Sequence, residues 1–164
     1  MNRVAVVNLV VIASTILYSQ TLPRESLRGL KGVYLYVHPV EKNVEAGGLS
    51  TAQIHKAVEA ELRKADIPVY SEPQPANGSA NLVIVINIVK HPQGVFLYAV
   101  EVSLLQEVHL ARRQDPDAFP AQTWSAEALG LTSPNRMDLM LEPLRAKVGE
   151  FIKDYTAVNP RSAR

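Results

Sequence analysis

At 164 residues, 47% hydrophobic and 20% charged, the chain has the size and composition of one globular domain. Lys+Arg 17 against Asp+Glu 16 gives a net charge of +1, which supplies no electrostatic reason to seek nucleic acid or anionic lipid. Cysteine is absent, which excludes disulfides and a lipidated N-terminal cysteine, so the core alone must hold the fold.

The first segment is the most distinctive. Arg3 precedes a run from Val4 to Tyr18 that is almost wholly apolar, and polar Ser19, Gln20 and Thr21 follow. A basic start, an apolar stretch of about 7–15 residues and a small residue at the exit describe a secretory signal peptide. The reading is a signal over residues 1–19, cleaved before Gln20, although Leu17 is bulkier than the small residue preferred three positions before the cut. An uncleaved anchor is the main rival. A spanning helix wants about 20 apolar residues, and Asn8, Ser14 and Thr15 interrupt this run. A buried N-terminal element is the third option. The expectation is therefore an exported protein, periplasmic or secreted and not a lipoprotein, with membrane contact only if the segment stays uncleaved. Loss of residues 1–19 removes Arg3 and brings Lys+Arg to 16, level with Asp+Glu.

Residues 20–31 are polar, contain Pro23, and read as a linker or loosely attached arm. Residues 33–40 alternate, with Val33, Leu35 and Val37 on one face and Tyr34, Tyr36 and His38 on the other, which predicts a strand. Residues 41–48 read as a charged loop. Ser50 and Gln53 have capping-box spacing, and Leu49 and Ile54 that of a hydrophobic staple. Ile54, Val58, Leu62 and Ala65 continue as an apolar stripe, predicting a helix from Ser50 to about Asp66. Residues 67–70 suit a sheet edge, because Pro68 cannot donate to a ladder. Residues 71–80 read as a loop.

Residues 81–90 form the strongest strand, with Leu82, Ile84, Ile86 and Ile88 sharing a face. Residues 91–94 make a turn, and 95–110 a second long strand carrying Phe96, Tyr98, Val100, Val102 and Leu104 on one side. After a loop at 111–120, residues 121–128 return as a strand with Gln122, Trp124 and Ala126 together; residues 130–132 end it. Ser133 and Pro134 resemble a helix start. Met137, Leu141, Leu144, Val148, Phe151 and Tyr155 form an apolar seam, which Pro143 either kinks or divides into two helices. Residues 159–164 read as a tail.

The order is β-α-β-β-β-β-α. It predicts one α+β domain over residues 32–158. The expected form is a two-layer sandwich, a mixed four- or five-stranded sheet with both helices on its isoleucine face. This order of elements resembles small periplasmic α+β domains such as the N-terminal domain of the propeller protein of the Tol–Pal envelope system, and domains of outer-membrane assembly and secretion accessory proteins. The resemblance is one of pattern across residues 32–158, without a shared motif. It implies a binding role in the cell envelope and transfers no functional residue. The missing lipidation cysteine departs from the lipoprotein members.

No residue announces catalysis. His38, His55, His91 and His109 lack metal-ligand spacing, although His38 and His109 could approach across the sheet. Glu101 and Glu107 share a strand about 20 Å apart, too far for a glycosidase pair. Asp115, Pro116 and Asp117 lack the remaining ligands of a calcium loop. Gly47 and Gly48 lack a phosphate-loop lysine, and no serine has a nucleophile-elbow context. The sequence therefore assigns no cofactor, no metal and no nucleic-acid partner.

The informative feature is the second sheet face. Opposite the isoleucines stand Tyr34, Tyr36, Val83, Val85, Val89, Leu97, Ala99 and Leu105, more apolar than a solvated face should be. Tyr34, Tyr36, Val83, Val85, Val89, Leu97 and Leu105 are the candidate interface, with Lys90, Glu101 and Glu107 at its rim. The cover is either internal (the arm or the 111–120 loop), a second copy, or a partner or apolar ligand. The leading reading is a non-enzymatic envelope module that binds a protein partner or itself. The alternatives are a periplasmic hydrolase without a recognisable motif, and an apolar small-molecule carrier.

Overall fold

The computed structural model describes residues 23–73, 78–112 and 117–160. The signal segment and the outer half of the C-terminal tail lie outside the described residues. Five strands form one mixed sheet in the order β2-β1-β3-β4-β5. They are β1 (Gly32–Val37), β2 (Val69–Tyr70), β3 (Ser79–Lys90), β4 (Phe96–Val108) and β5 (Phe119–Thr132). Among the described residues, three α-helices with both ends in view accompany them: α1 (Lys42–Ala46), α2 (Thr51–Lys64) and α3 (Leu141–Val158), the last preceded by a 3-10 turn at Met137–Met140. β1 runs parallel to both β2 and β3, and β3, β4 and β5 are antiparallel. The α+β, two-layer architecture is the expected one. No described helix is long and apolar enough to cross a membrane.

The isoleucine face is the core. Leu82, Ile84, Ile86 and Ile88 of β3, Phe96, Val100, Val102 and Leu104 of β4, and Trp124 of β5 are all buried. α2 lies over β1, α3 over β4 and β5, and the two helices pack on each other. The Ser50–Gln53 capping box is present, with Gln53 N–H donating to Ser50 Oγ and Ser50 N–H to Gln53 Oε1. Ile54, Val58 and Leu62 form the buried stripe, and staple residue Leu49 is buried beside them. β2 is close-packed against β1: a Cβ on Gly32 would stand 2.6 Å from the Pro68 carbonyl.

Four local expectations are corrected. Residues 42–46 are a short helix rather than loop, because Val44 is drawn fully into the core. Residues 23–31 are neither linker nor loose arm. Leu27 and Leu30 are core residues, Arg24 Nε bonds Asp154 at 2.9 Å, and Tyr155 Oη donates to the Leu30 carbonyl. Asn159, placed in the tail by its sequence, closes the same contact by donating to the Leu27 carbonyl and accepting from Gly29 N–H. Finally, β5 runs on to Thr132 and carries a bulge, so Leu104 pairs with Trp124 but Leu105 with Gln122. The extra residue, Thr123, reverses the alternation, and Gln122 faces solvent instead of sharing the Trp124 face.

The seam at the C-terminal end resolves into the divided form. The chain turns at 133–136, makes the 3-10 turn, and starts α3 at Leu141. Pro143 thus sits in the first helical turn, where its missing N–H has no intrahelical acceptor to lose. Phe151 packs edge-on against Trp124 with centroids 5.3 Å apart.

Candidate functional site: the outer sheet face

Strand pairing arranges the outer face in rows. At one end Val89, Leu97 and Leu131 lie side by side across β3, β4 and β5, with Asn87, Ala99 and Leu129 in the next row. Then come Val85, Glu101 and Glu127, followed by Tyr36, Val83, Ser103 and Ser125. The last row holds Tyr34, Asn81, Leu105 and Gln122.

The candidate residues therefore do not form one uniform patch. Tyr34, Tyr36, Val83 and Leu105 gather at one end, and Val89 and Leu97 at the other. Val85 lies between, beside the polar band of Glu101, Glu127, Ser103 and Ser125. Glu101 stands in the middle of the face rather than on a rim, while Glu107 pairs with Pro120 at the far end of β4 and Lys90 lies beyond the leucine end. Glu101 and Glu127 are directly opposed, a like-charge pair that costs stability. Only strand register reveals it.

The leucine end is the bare one. Leu129 is 81% exposed, Val89 67%, Leu131 66% and Leu97 45%. Val83, Val85, Tyr34 and Leu105 are half-buried by their own neighbours. Leu129 and Leu131 escape the sequence reading because Gly130 looks like a strand end. The signal for them is the period-two continuation from Glu127 through Leu129 to Leu131. Gly130 is held inside the strand by Tyr98, whose ring occupies the space where a Cβ would stand.

The described part of the arm, residues 23–31, bonds at the end of the sheet and does not cover this face. Ser26 Oγ donates to the Thr123 carbonyl, and Gln106 Nε2 donates to the Ser26 carbonyl and to Thr123 Oγ1. These bonds seal the end of the core between α3 and the sheet. Asp154 completes the seal, accepting from Trp124 Nε1 at 3.0 Å and from Arg24.

A groove of about 710 Å³ lies where β1 runs on past the two-residue β2, lined by Tyr34, Tyr36, Tyr70, His55, Glu59 and Arg63. Its polar wall is a surface ladder along α2. Glu59 pairs with Arg63 at 2.7 Å, and His55 Nδ1 stands 3.6 Å from Glu59, beyond hydrogen-bond reach. A carboxylate already held by an arginine is a poor partner for a histidine base.

The other histidines are apart. His38 stacks edge-on against Tyr36. His38 N–H bonds the Ile84 carbonyl, which puts it level with Val85 and Glu101, eight residues along the sheet from His109. At a strand rise of about 3.3 Å per residue the two are more than about 20 Å apart, so they do not meet. His91 accepts a bond from Gln93 N–H in its turn. Among the described residues no group of three His, Asp or Glu could hold a metal ion. Asp115 and Pro116 lie outside the described residues.

No protein-family model matches the chain, and no curated protein matches it in sequence.

Proposed function

We propose that this protein is an exported, non-enzymatic module of the cell envelope that binds a polypeptide through the outer face of its sheet. The observation that carries the reading is the leucine end: Val89, Leu97, Leu129 and Leu131 adjoin by strand register and are all exposed. Scattered surface leucines need no explanation, but an adjoining set without a charge among them has the composition of an interface core. The apolar N-terminal run supports export.

The test is a photo-cross-linking amino acid placed at Leu97 in the native host, with Lys56 on the exposed side of α2 as control. The reading expects a discrete protein adduct from position 97 and none from position 56. Equal labelling from both sites, or none from position 97, rejects it. Export is checked separately by N-terminal sequencing of the fractionated protein. A chain starting near Gln20 outside the cytoplasm agrees; intact Met1 in the cytoplasm does not.

A further inference from the structure

The two borders of the sheet differ in how they are protected. The β2 border is two residues long, and Pro68 precedes it. The β5 border is 14 residues long, and no described strand pairs with its outer side. Its first nine residues carry the usual defences against edge pairing: Pro120, the bulge at Thr123 and the charge of Glu127. Its last five, Ala128-Leu129-Gly130-Leu131-Thr132, carry none.

The hydrogen-bond phase of these last residues follows from the hairpin. His91 N–H donates to the Val95 carbonyl at 2.8 Å, and His38 N–H to the Ile84 carbonyl at 2.9 Å. These two bonds set which residues of β3 face which neighbour. Counting across the antiparallel register, Phe96, Tyr98 and Val100 direct their backbone groups at Thr132, Gly130 and Ala128. Leu129 and Leu131 therefore direct their N–H and C=O groups out of the sheet. The same two residues carry the most exposed leucine side chains of the outer face.

We propose that β5 pairs antiparallel with β5 of a second copy of this chain, about a two-fold axis at Gly130. The inference rests on the reading of the outer face as a docking surface and names its occupant. The segment is nearly symmetric about Gly130 in side-chain type, which is what a two-fold contact requires, since each residue must suit its own mirror position. In this register Leu129 of one copy exchanges both backbone hydrogen bonds with Leu131 of the other, and the reverse pair does the same. Four leucines then meet on the outer face, flanked by Leu97 and Val89 of each copy. Small Ala128 opposes Thr132. The two glycines lie at the close central pair, where Cα atoms approach to about 4.5 Å. Glu127 falls opposite Ser133, so like charges do not meet. A register centred on Glu127 would set the two carboxylates face to face, and one centred on Leu129 would set each carboxylate against a leucine. The product is a continuous ten-stranded sheet.

The test uses the full chain. Sedimentation should show a concentration-dependent dimer, and Leu131→Lys should weaken it by about tenfold or more through an unpaired charge at the pairing edge, with circular dichroism unchanged and the Tm of dilute, monomeric chain unchanged. The absence of native cysteine makes the register directly readable. A mixture of Leu129→Cys and Leu131→Cys chains should form the mixed disulfide in preference to either homodimer. A monomer at every accessible concentration overturns the proposal, as does a dimer indifferent to Leu131→Lys or one cross-linked chiefly 129 to 129. If the chain is monomeric while the position-97 adduct forms with another protein, the docking reading survives and self-pairing fails. If both are absent, both fail.

Discussion

The two faces of this sheet are built from nearly the same residues and meet opposite fates. Along β3, Leu82, Ile84, Ile86 and Ile88 lie in the core beneath α2 and α3, while Val83, Val85 and Val89, one position away, have no helix over them among the described residues. β-branched and aliphatic side chains suit a pleated strand on either face. What separates the faces is the supply of helices. Two amphipathic helices, side by side on one face, use up the long apolar helical stripes among the described residues. The composition of a strand therefore reports that a face is suited to burial, and the count of helical stripes reports whether the same chain can provide it.

That contrast breaks first at Ile84. Ile84→Ala should cost about 2–5 kcal/mol, read by chemical denaturation, because the side chain is fully buried between sheet and helices. A loss below about 1 kcal/mol would mean the core face has been misplaced. Asp154→Ala probes where the closed face is sealed. It strips a partner from the Trp124 indole and from Arg24, and should cost about 1–3 kcal/mol.

The same seal has a pH signature. Burial raises the Tyr155 phenol above its ordinary value of 10.0, and the nearby Tyr70 raises it further. The hydrogen bond to the Leu30 carbonyl needs the protonated phenol. In the unfolded chain the group ionises near 10.0, earlier than in the fold. Its contribution is therefore complete below that pH and is lost as pH rises through the folded value. Tyr155→Phe should cost about 0.5–1.5 kcal/mol at neutral pH and flatten the alkaline limb of a stability–pH curve. An unchanged alkaline limb would place the phenol in solvent.

The outer face should respond weakly. Val85→Lys should change monomer stability by less than about 1 kcal/mol, far from the effect at its neighbour Ile84. Unfolding of this variant would show that something covers the outer face within one chain. Glu127→Gln should stabilise by a few tenths to about 1 kcal/mol, by relieving the opposition to Glu101. Destabilisation would mean that the two carboxylates share a cation.

The sequence was legible wherever one local rule decided the outcome. Strand alternation assigned the isoleucine face, and the capping box placed the start of α2. It was illegible where a residue's role depended on a distant one. Gly130 reads as a breaker until Tyr98 is known to lie across it, and this hides Leu129 and Leu131. Thr123 reads as an outward strand residue until the pairing of Leu104 with Trp124 leaves it over as a bulge. Polar residues 23–31 look like a tether because Arg24, Ser26 and Asn159 satisfy one another's end of the molecule only after α3 has docked. Apart from Leu129 and Leu131, the apolar residues of the outer face were legible as a list. The division of that face into a tyrosine end and a leucine end came from register alone.

The docked arm also imposes an order of events. Its partners Asp154, Tyr155 and Asn159 are separated from it by at least 125 residues of chain, so they are synthesised well after it. Chains are made from the N-terminus, and each segment can bury itself only against what already exists. Leu27 and Leu30 must wait, exposed, until α3 has been made. A late step of folding is then a clasp, in which residues 23–31 close over α3. Until it closes, the end of the core beside Trp124 stays open to water, so loss of residues 23–31 and loss of Asn159 should leave the same half-finished core.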